Sequence, residues 1–585
     1  AASLFAFIFF YERHARIRDE APAGSVFPRI DPGSVDMIQV RPGHDLEIRA
    51  VHTNDAWQIE EPLEWPAQTA TLDKFLSTLA TLQPAAYITP ADIRSRPSAE
   101  HEYGFDAPRA SIIVRQGARR VHMLVGGMTA PGDQFFLQVV GLEGVFVFGA
   151  DALKIIPASI NDWRDTSLVD LNKTRVDSVS VTNSAKSFSL QRDASRIWRL
   201  VYPIKARADQ ARVHDALERT HSLRATKFVT DDPNPDFESY GLKPAALYIS
   251  LSQGTNPPMD LLFGRSPTNH AGHVFATRRG WKAVVAVEKQ FVEAWEQPVD
   301  SFRDPFLLST TAPVQSVSVS GKETFTLEWQ AAGGWRVAPS NWPGDADLAK
   351  EFIARLNGLK VVQFVKDVVT EPDLPPYGLN KPSATIKVRM AAEAGATNTN
   401  QVELQFGIEQ DGKVFARRTD EASIYALGTN DVRQLPTAPW QLRERKLWNF
   451  APDDVKRVTT RNGGRVRELL RRGPQSWELG QGSQGVINDL AVDETVRGLS
   501  GAAVDRWVAL GAGERAKFGI RDGGFELSIE LTDGRSVKVE FGQMTETQGA
   551  YAAVTLDGMV WIGEFPWILC RDVASHLGPP AATTK

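Results

Sequence analysis

Few residues in this chain combine the type and the spacing that chemistry needs. His270 and His273 stand in Asn-His-Ala-Gly-His, a loop spacing able to hold a metal, but no third ligand accompanies them and zinc sites are almost always four-coordinate. Asp232, Asn234, Asp236 and Glu238 alternate as in a calcium loop. There the position that needs glycine holds Phe237, and the closing bidentate glutamate is missing. Gly511-Ala512-Gly513 follows no apolar strand and precedes no Lys-Ser/Thr pair, so it does not read as a phosphate cradle. His214 and His221 share one helical face, the pattern of a surface rather than a site. The single cysteine, Cys570, allows neither an intrachain disulfide nor a thiolate cluster; it reads as a small core hydrophobe. Nucleophile-elbow and zinc-protease motifs are missing. The expectation is a protein with no catalytic residues, no metal and no cofactor, in short not an enzyme.

The elements that would position any site follow from length and repetition. A chain of 585 residues, 42% hydrophobic and 23% charged, is folded globular material too long for one core. Its formal net charge of -5 leaves no electrostatic footprint for nucleic acid, and pairs such as Arg119-Arg120 and Arg471-Arg472 read as solvated faces.

Residues Ala1 to Tyr11 are almost unbroken apolar sequence, shorter than the roughly 20 residues of a spanning helix. Because the run is apolar from its first residue and lacks an initiating Met, it reads as the distal half of an uncleaved membrane anchor. Tyr11 then sits at the interface ahead of Glu12, Arg13, His14, Arg16 and Arg18. A buried N-terminal strand or helix is the alternative. These near-balanced charges do not fix orientation. Residues 12–35 read as a linker.

Three marks then recur four times in the same order. A framework tryptophan stands at Trp57, Trp198, Trp335 and Trp477, spaced by 141, 137 and 142 residues. An aromatic-Gly-apolar triplet follows at Tyr103-Gly104-Phe105, Tyr240-Gly241-Leu242, Tyr377-Gly378-Leu379 and Phe518-Gly519-Ile520, spaced by 137, 137 and 141. An Arg-acid step closes each unit at Arg164-Asp165, Arg303-Asp304, Arg443-Glu444 and Arg571-Asp572. A period of this size is a whole domain rather than a solenoid repeat. The chain therefore divides into repeat domains at 36–173, 174–312, 313–452 and 453–578, with a tail at 579–585.

Within the second unit, Val176–Thr182, Ser187–Arg192 and Ile197–Val201 alternate as strands. Asp209 then caps a helix with Val213, Ala216, Leu217, Thr220 and Leu223 on one face. Tyr87, Phe228, Phe364 and Val504 each follow the last apolar helix residue by five, as if the helix returned its chain to the same place on a sheet. In the first unit, Ala110–Arg115, Val121–Val125, Phe135–Val140 and Gly144–Phe148 read as further strands, and Asp151–Ile156 as a short helix. The predicted fold is α+β: four tandem repeat domains, each a mainly antiparallel sheet packed by one long and one short helix. Gly126, Gly264, Gly407 and Gly542 recur at one strand end, where positive φ is expected. The Arg-acid step reads as an arginine pairing or capping within its own domain. The fourth unit diverges, with no proline after its tryptophan and a Gly-rich stretch at Gly480–Gly485; a terminal cap, a functional variant and simple drift all fit.

The combination of Trp57 with Pro62, Trp198 with Pro203 and Trp335 with Pro339, followed by Tyr103-Gly104-Phe105-Asp106-Ala107-Pro108, Tyr240-Gly241-Leu242-Lys243-Pro244 and Tyr377-Gly378-Leu379-Asn380-Lys381-Pro382, resembles the bacterial repeat family called domain of unknown function 4340. The resemblance covers nearly everything after residue 35 and is weaker in the last unit. It implies a single-pass protein of the bacterial inner membrane, with the bulk of the chain in the periplasm. It also implies ABC-type transport components, similar to those of gliding-motility systems, as neighbours and partners, and it carries no catalytic residues. The function expected is a non-catalytic, membrane-anchored scaffold or accessory protein of a transport or surface-assembly system. The alternative is an envelope module binding glycan or peptide in grooves between domains.

Overall fold

Alternating stretches fold as antiparallel strands wherever one face of the pleat meets apolar neighbours. The computed structural model describes residues 27–580 apart from His44, Asn54, Asp55, Pro97, 172–174 and 392–399. The expected anchor at 1–11 lies outside the described residues, as do the linker up to residue 26 and residues 581–585 of the tail. Among the described residues no helix is long and apolar enough to cross a membrane.

The first sheet shows the plan. Its strands are β1 (Met37–Pro42), β2 (Ile48–Thr53), β3 (Ala56–Glu61), β4 (Trp65–Pro66), β5 (Ala86–Ile88), β6 (Ala110–Gln116), β7 (Arg119–Met128), β8 (Gln134–Val139) and β9 (Val145–Gly149). They lie in the order β4-β3-β2-β1-β6-β7-β8-β9-β5, and every pairing in this sheet is antiparallel. Two further nine-stranded sheets repeat this order, and an eight-stranded sheet built from the fourth unit lacks only the short β4 equivalent. The missing strand falls where the fourth unit carries its Gly-rich stretch instead of a proline-bearing turn.

Because β4 and β5 are opposite edges of the sheet, the segment joining them must cross it, and that segment is helix α1 (Thr69–Thr81). Its buried stripe, Leu72, Phe75, Leu76 and Leu79, packs in one core with Ile38, Val40, Ile59, Val114, Met123 and Leu137. Each such side chain contributes about 1.5–3 kcal/mol on burial. The equivalent helices are α2 (Gln210–His221), α3 (Ala346–Asn357) and α4 (Asp489–Ser500). Asp209 Oδ1 accepts from Arg212 N at 3.0 Å, Asp345 Oδ1 from Leu348 N at 3.1 Å, and Asn488 Oδ1 from Ala491 N at 3.2 Å. A cap of this kind is worth about 1 kcal/mol. The short helix expected at 151–156 is a 3-10 turn over Ala150–Ile155.

Two expected boundaries move. Residues 27–35 are not linker: Ile30 and Val35 are buried in the first core, and Phe27 meets Phe146 and Phe148 edge-on with centroids 5.5 and 5.1 Å apart. Leu307 and Leu308, ahead of the expected boundary at 313, belong to the core of the third sheet, and Leu447 and Phe450 to that of the fourth. The described residues divide into two compact units, one holding those up to Ser189 with His214–Gln297, the other Leu190–Val213 with those from Pro298 on.

Candidate functional site

The aromatic-Gly triplets form a latch. Gly104, Gly241, Gly378 and Gly519 have φ of 73°, 68°, 69° and 71°, the left-handed region that favours glycine. The recurring strand glycines have a different reason to be glycine from the one expected. Gly126, Gly264, Gly407 and Gly542 are absent from the positive-φ residues. A Cβ on them would instead lie 2.0–2.2 Å from the carbonyl oxygens of Tyr103, Tyr240, Tyr377 and Phe518. The triplet backbone thus seats directly on the strand. Its rings then pack on the neighbouring strand: Tyr103 on Phe136, Tyr240 on Phe275, Tyr377 on Phe415 and Phe518 on Tyr551, with centroids 4.7, 4.9, 4.9 and 5.0 Å apart.

The Arg-acid steps do not pair only within their own repeats; three of the four arginines reach into the next one. Arg164 is fully buried and grips Asp231 with two parallel bonds of 2.9 Å. Its guanidinium lies 3.6 Å from the Phe228 ring centroid and 4.2 Å from that of Trp65. Arg303 is 2% exposed, donates to both oxygens of Asp367 at 3.1 and 2.9 Å, and lies 3.8 Å over Phe364. A bidentate pair stacked on an aromatic face is the geometry at which arginine has no substitute. Burial pulls the Arg164 guanidinium down from its ordinary value, and the Asp231 carboxylate opposes it. The acceptor stands three residues beyond the ring in both cases, Phe228 to Asp231 and Phe364 to Asp367.

The third junction departs from this pattern, because Trp507 occupies the position equivalent to those aspartates. Arg443 lies 4.1 Å over Trp561 and donates one bond of 2.8 Å to Asp557, whose side chain is 62% exposed. Among the described residues its terminal Nη1 is buried without a hydrogen-bond partner, whereas Arg164 and Arg303 leave only Nε in that state. Arg571 makes no such contact. It lies in the helix Trp567–Asp572, pairs with the adjacent Asp572 at 2.7 Å, and its side chain is half-exposed. In the first repeat the acceptor position holds Pro90, and Tyr87 Oη donates to the Glu143 carbonyl at 2.8 Å.

At the third junction, inside the second compact unit, a cleft of about 1000 Å³ opens between residues of the third and fourth repeats. Asp345, Asp347, Glu444, Glu494, Asp505 and Asp572 line it, against only Arg445 and Lys446. Arg445 is taken by Asp345 at 2.8 Å and Asp347 at 3.3 Å. Burial and the neighbouring Glu564 carboxylate push the Asp505 carboxyl up. The framework tryptophan of the third repeat, Trp335, also lines the cleft.

That tryptophan differs from its copies. Trp57, Trp198 and Trp477 are buried at 4%, 4% and 6% exposure, covered by His52 at 5.0 Å, Arg192 at 4.7 Å and Arg471 at 4.4 Å. Trp335 is only half-buried, and its cross-strand neighbour is Trp329, 50% exposed, set edge-on at 5.5 Å. The sequence singled out Trp335 but not Trp329, which only strand register reveals.

The other candidate residues remain scattered. The rings of His270 and His273 lie 6.0 Å apart, and no group of three His, Cys, Asp or Glu among the described residues is arranged to hold a metal. Asp232 and Asp236 accept from backbone N–H groups of their own loop. His221 accepts from Leu171 N at 3.2 Å. Cys570 packs against the fourth core, and burial pushes its thiol up to about 11, which leaves it unreactive at neutral pH.

Comparison with known proteins agrees with the repeat plan. A search of the curated proteins and one of the solved structures each found no match. The family model described as Domain of unknown function (DUF4340) matches residues 57–197, 198–382 and 329–519. The first two matches begin on the framework residues Trp57 and Trp198, and together the three cover most of the chain. The chain is a member of the DUF4340 family, carrying its domain in repeated copies.

Proposed function

We propose that this protein is a non-catalytic, membrane-anchored extracytoplasmic scaffold or accessory subunit of an ABC-type transport or surface-assembly system. One observation carries the reading. The residues that recur between copies serve the latch within each repeat and, through three of the four arginines, the bond to the next one, so what the repeats hold in common is structural. The compartment and the transport neighbourhood are those that the family resemblance implies. Affinity purification of the full-length protein from detergent-solubilised membranes should recover transport components; recovery of none sinks the proposal.

A second reading, a ligand-binding module, is favoured by Trp335, which lines the cleft, and by its exposed cross-strand neighbour Trp329. Open aromatic faces beside polar groups are a common way to hold a ligand. Quenching of tryptophan fluorescence by envelope ligands, lost in Trp329→Ala, is the direct check.

A further inference from the structure

We propose that the cleft between the third and fourth repeats binds a basic peptide segment of a partner protein, seating lysine or arginine side chains against its carboxylates and against Trp335 with its cross-strand neighbour Trp329, which stands beside the lining. The inference rests on the ligand-binding reading and names its ligand.

Charge is the first argument. Six carboxylates face two cations across the lining, a formal excess of four negative charges, in a chain whose whole net charge is only -5. The imbalance is absorbed only in part: Arg571, beside the lining, pairs with Asp572 at 2.7 Å. Arg445 already serves Asp345 and Asp347, and no ion pair is formed by Glu494 or Asp505 among the described residues. Asp505 is held near a second carboxylate, Glu564, which is 7% exposed and paired with Arg506 at 2.7 Å. A cation entering here relieves repulsion as well as gaining attraction, whereas an anion meets like charge.

The aromatic pair is the second argument, and it is independent of the first. In the second and fourth repeats the equivalent tryptophan face is already occupied by an arginine of the same chain, Arg192 or Arg471. In the third repeat the cross-strand position is Trp329, so no internal cation covers Trp335 from there. The fold thus shows twice that this ring accepts a guanidinium, and in the repeat bordering the cleft it leaves that face to an outside one. Cation–π attraction of this kind is strongest on tryptophan. Size is the third argument: a cleft of about 1000 Å³ is large for a lone side chain and fits several residues of extended peptide.

The test uses the full chain and a defined probe, the acetylated and amidated hexapeptide Gly-Arg-Gly-Lys-Gly-Arg, with binding followed by tryptophan fluorescence and calorimetry at two salt concentrations. Saturable binding is expected, weakening as salt rises. A Glu494→Gln/Asp505→Asn double variant should weaken it at least tenfold and Trp329→Ala about fivefold. Glu143→Gln, an exposed carboxylate of the first repeat, should leave it unchanged. Trp329 and Glu494 are both exposed, so neither change threatens folding, and an unchanged thermal transition verifies that. Spermine and a chitin tetrasaccharide serve as competing ligands. If spermine binds as tightly as the peptide, the site reads charge alone and the peptide assignment falls. If the tetrasaccharide binds with the same Trp329 dependence while the peptide does not, the cleft remains a binding site but the cationic assignment is overturned. If no ligand gives a Trp329-dependent signal, both are overturned.

Discussion

The junction made by Arg303 and the junction made by Arg443 use the same residue of the same repeat unit, and they differ in almost every other respect. Arg303 closes a two-pronged bond to Asp367 and is backed by a second arginine, Arg207, which pairs with Asp304 and with Glu421 at 2.6 Å. Arg443 has one prong on an exposed aspartate, and the nitrogen it leaves buried without a partner among the described residues is the terminal Nη1, where Arg303 leaves only its Nε; the residue equivalent to Arg207 is Pro343. The same step in the sequence therefore builds one closed junction and one that stands beside an open cleft. Relaxed repetition at one joint is where this protein has room for something other than holding itself together.

Of the two junction arginines, the larger effect should come from Arg303→Ala. Removing one partner of a buried ion pair costs roughly 3–5 kcal/mol, and hydrogen exchange over Val361–Asp367 should report a loss near the lower end, because Asp367 keeps some solvent access. Arg443→Ala should cost only about 1–2 kcal/mol, read over Arg506–Leu510, since its partner is exposed and already hydrated. Equal losses at the two sites would erase the distinction.

Acid should separate the two junctions in a different way. Although burial opposes it, bonding to Arg445 and to the α3 amides holds the Asp345 carboxyl below its ordinary value of 3.8. A depressed carboxylate contributes stability that is present above its unfolded pKa and lost as pH falls through the folded one. Protection of the first turn of α3 should therefore hold at pH 5 and fail progressively below about pH 4. Asp345→Asn should weaken the turn at neutral pH and flatten that dependence. The smallest effect belongs to Trp329→Ala, expected within about 0.5 kcal/mol because the side chain is exposed, whereas Trp198→Ala should cost about 3–5 kcal/mol. Thermal unfolding of the two variants side by side checks whether Trp329 is free for another use.

Much of the architecture was legible because it is written repeatedly. The helix stripe at Leu72, Phe75, Leu76 and Leu79, the cap at Asp209 and the return of Phe228 and Phe364 to the sheet all follow from local spacing. Contacts between copies were harder, because a repeated arginine announces its importance without naming its partner. A signal did exist: an aspartate three residues after the returning aromatic in the second and third repeats, but proline in the first and tryptophan in the fourth. The two aspartates stand where the arginine of the preceding repeat closes its bidentate bond. The strand glycines misled for a related reason. A close approach by Tyr377 O to Gly407 and a positive φ both demand glycine, and sequence does not distinguish them. Trp329 went unnoticed because its meaning depends on which residue faces Trp335 across the strands.

Pro90 has one more consequence. Contacts that run from one unit to the next in a single direction do not close on themselves, and identical copies bearing them tend to grow into filaments. Here the first unit carries no carboxylate at the receiving position, and the last arginine of the series is engaged with its own neighbour, Asp572. Among the four repeats described, this bond therefore has a donor and a charged acceptor only at the inner junctions, and neither the first nor the fourth repeat offers a free half of it to another copy.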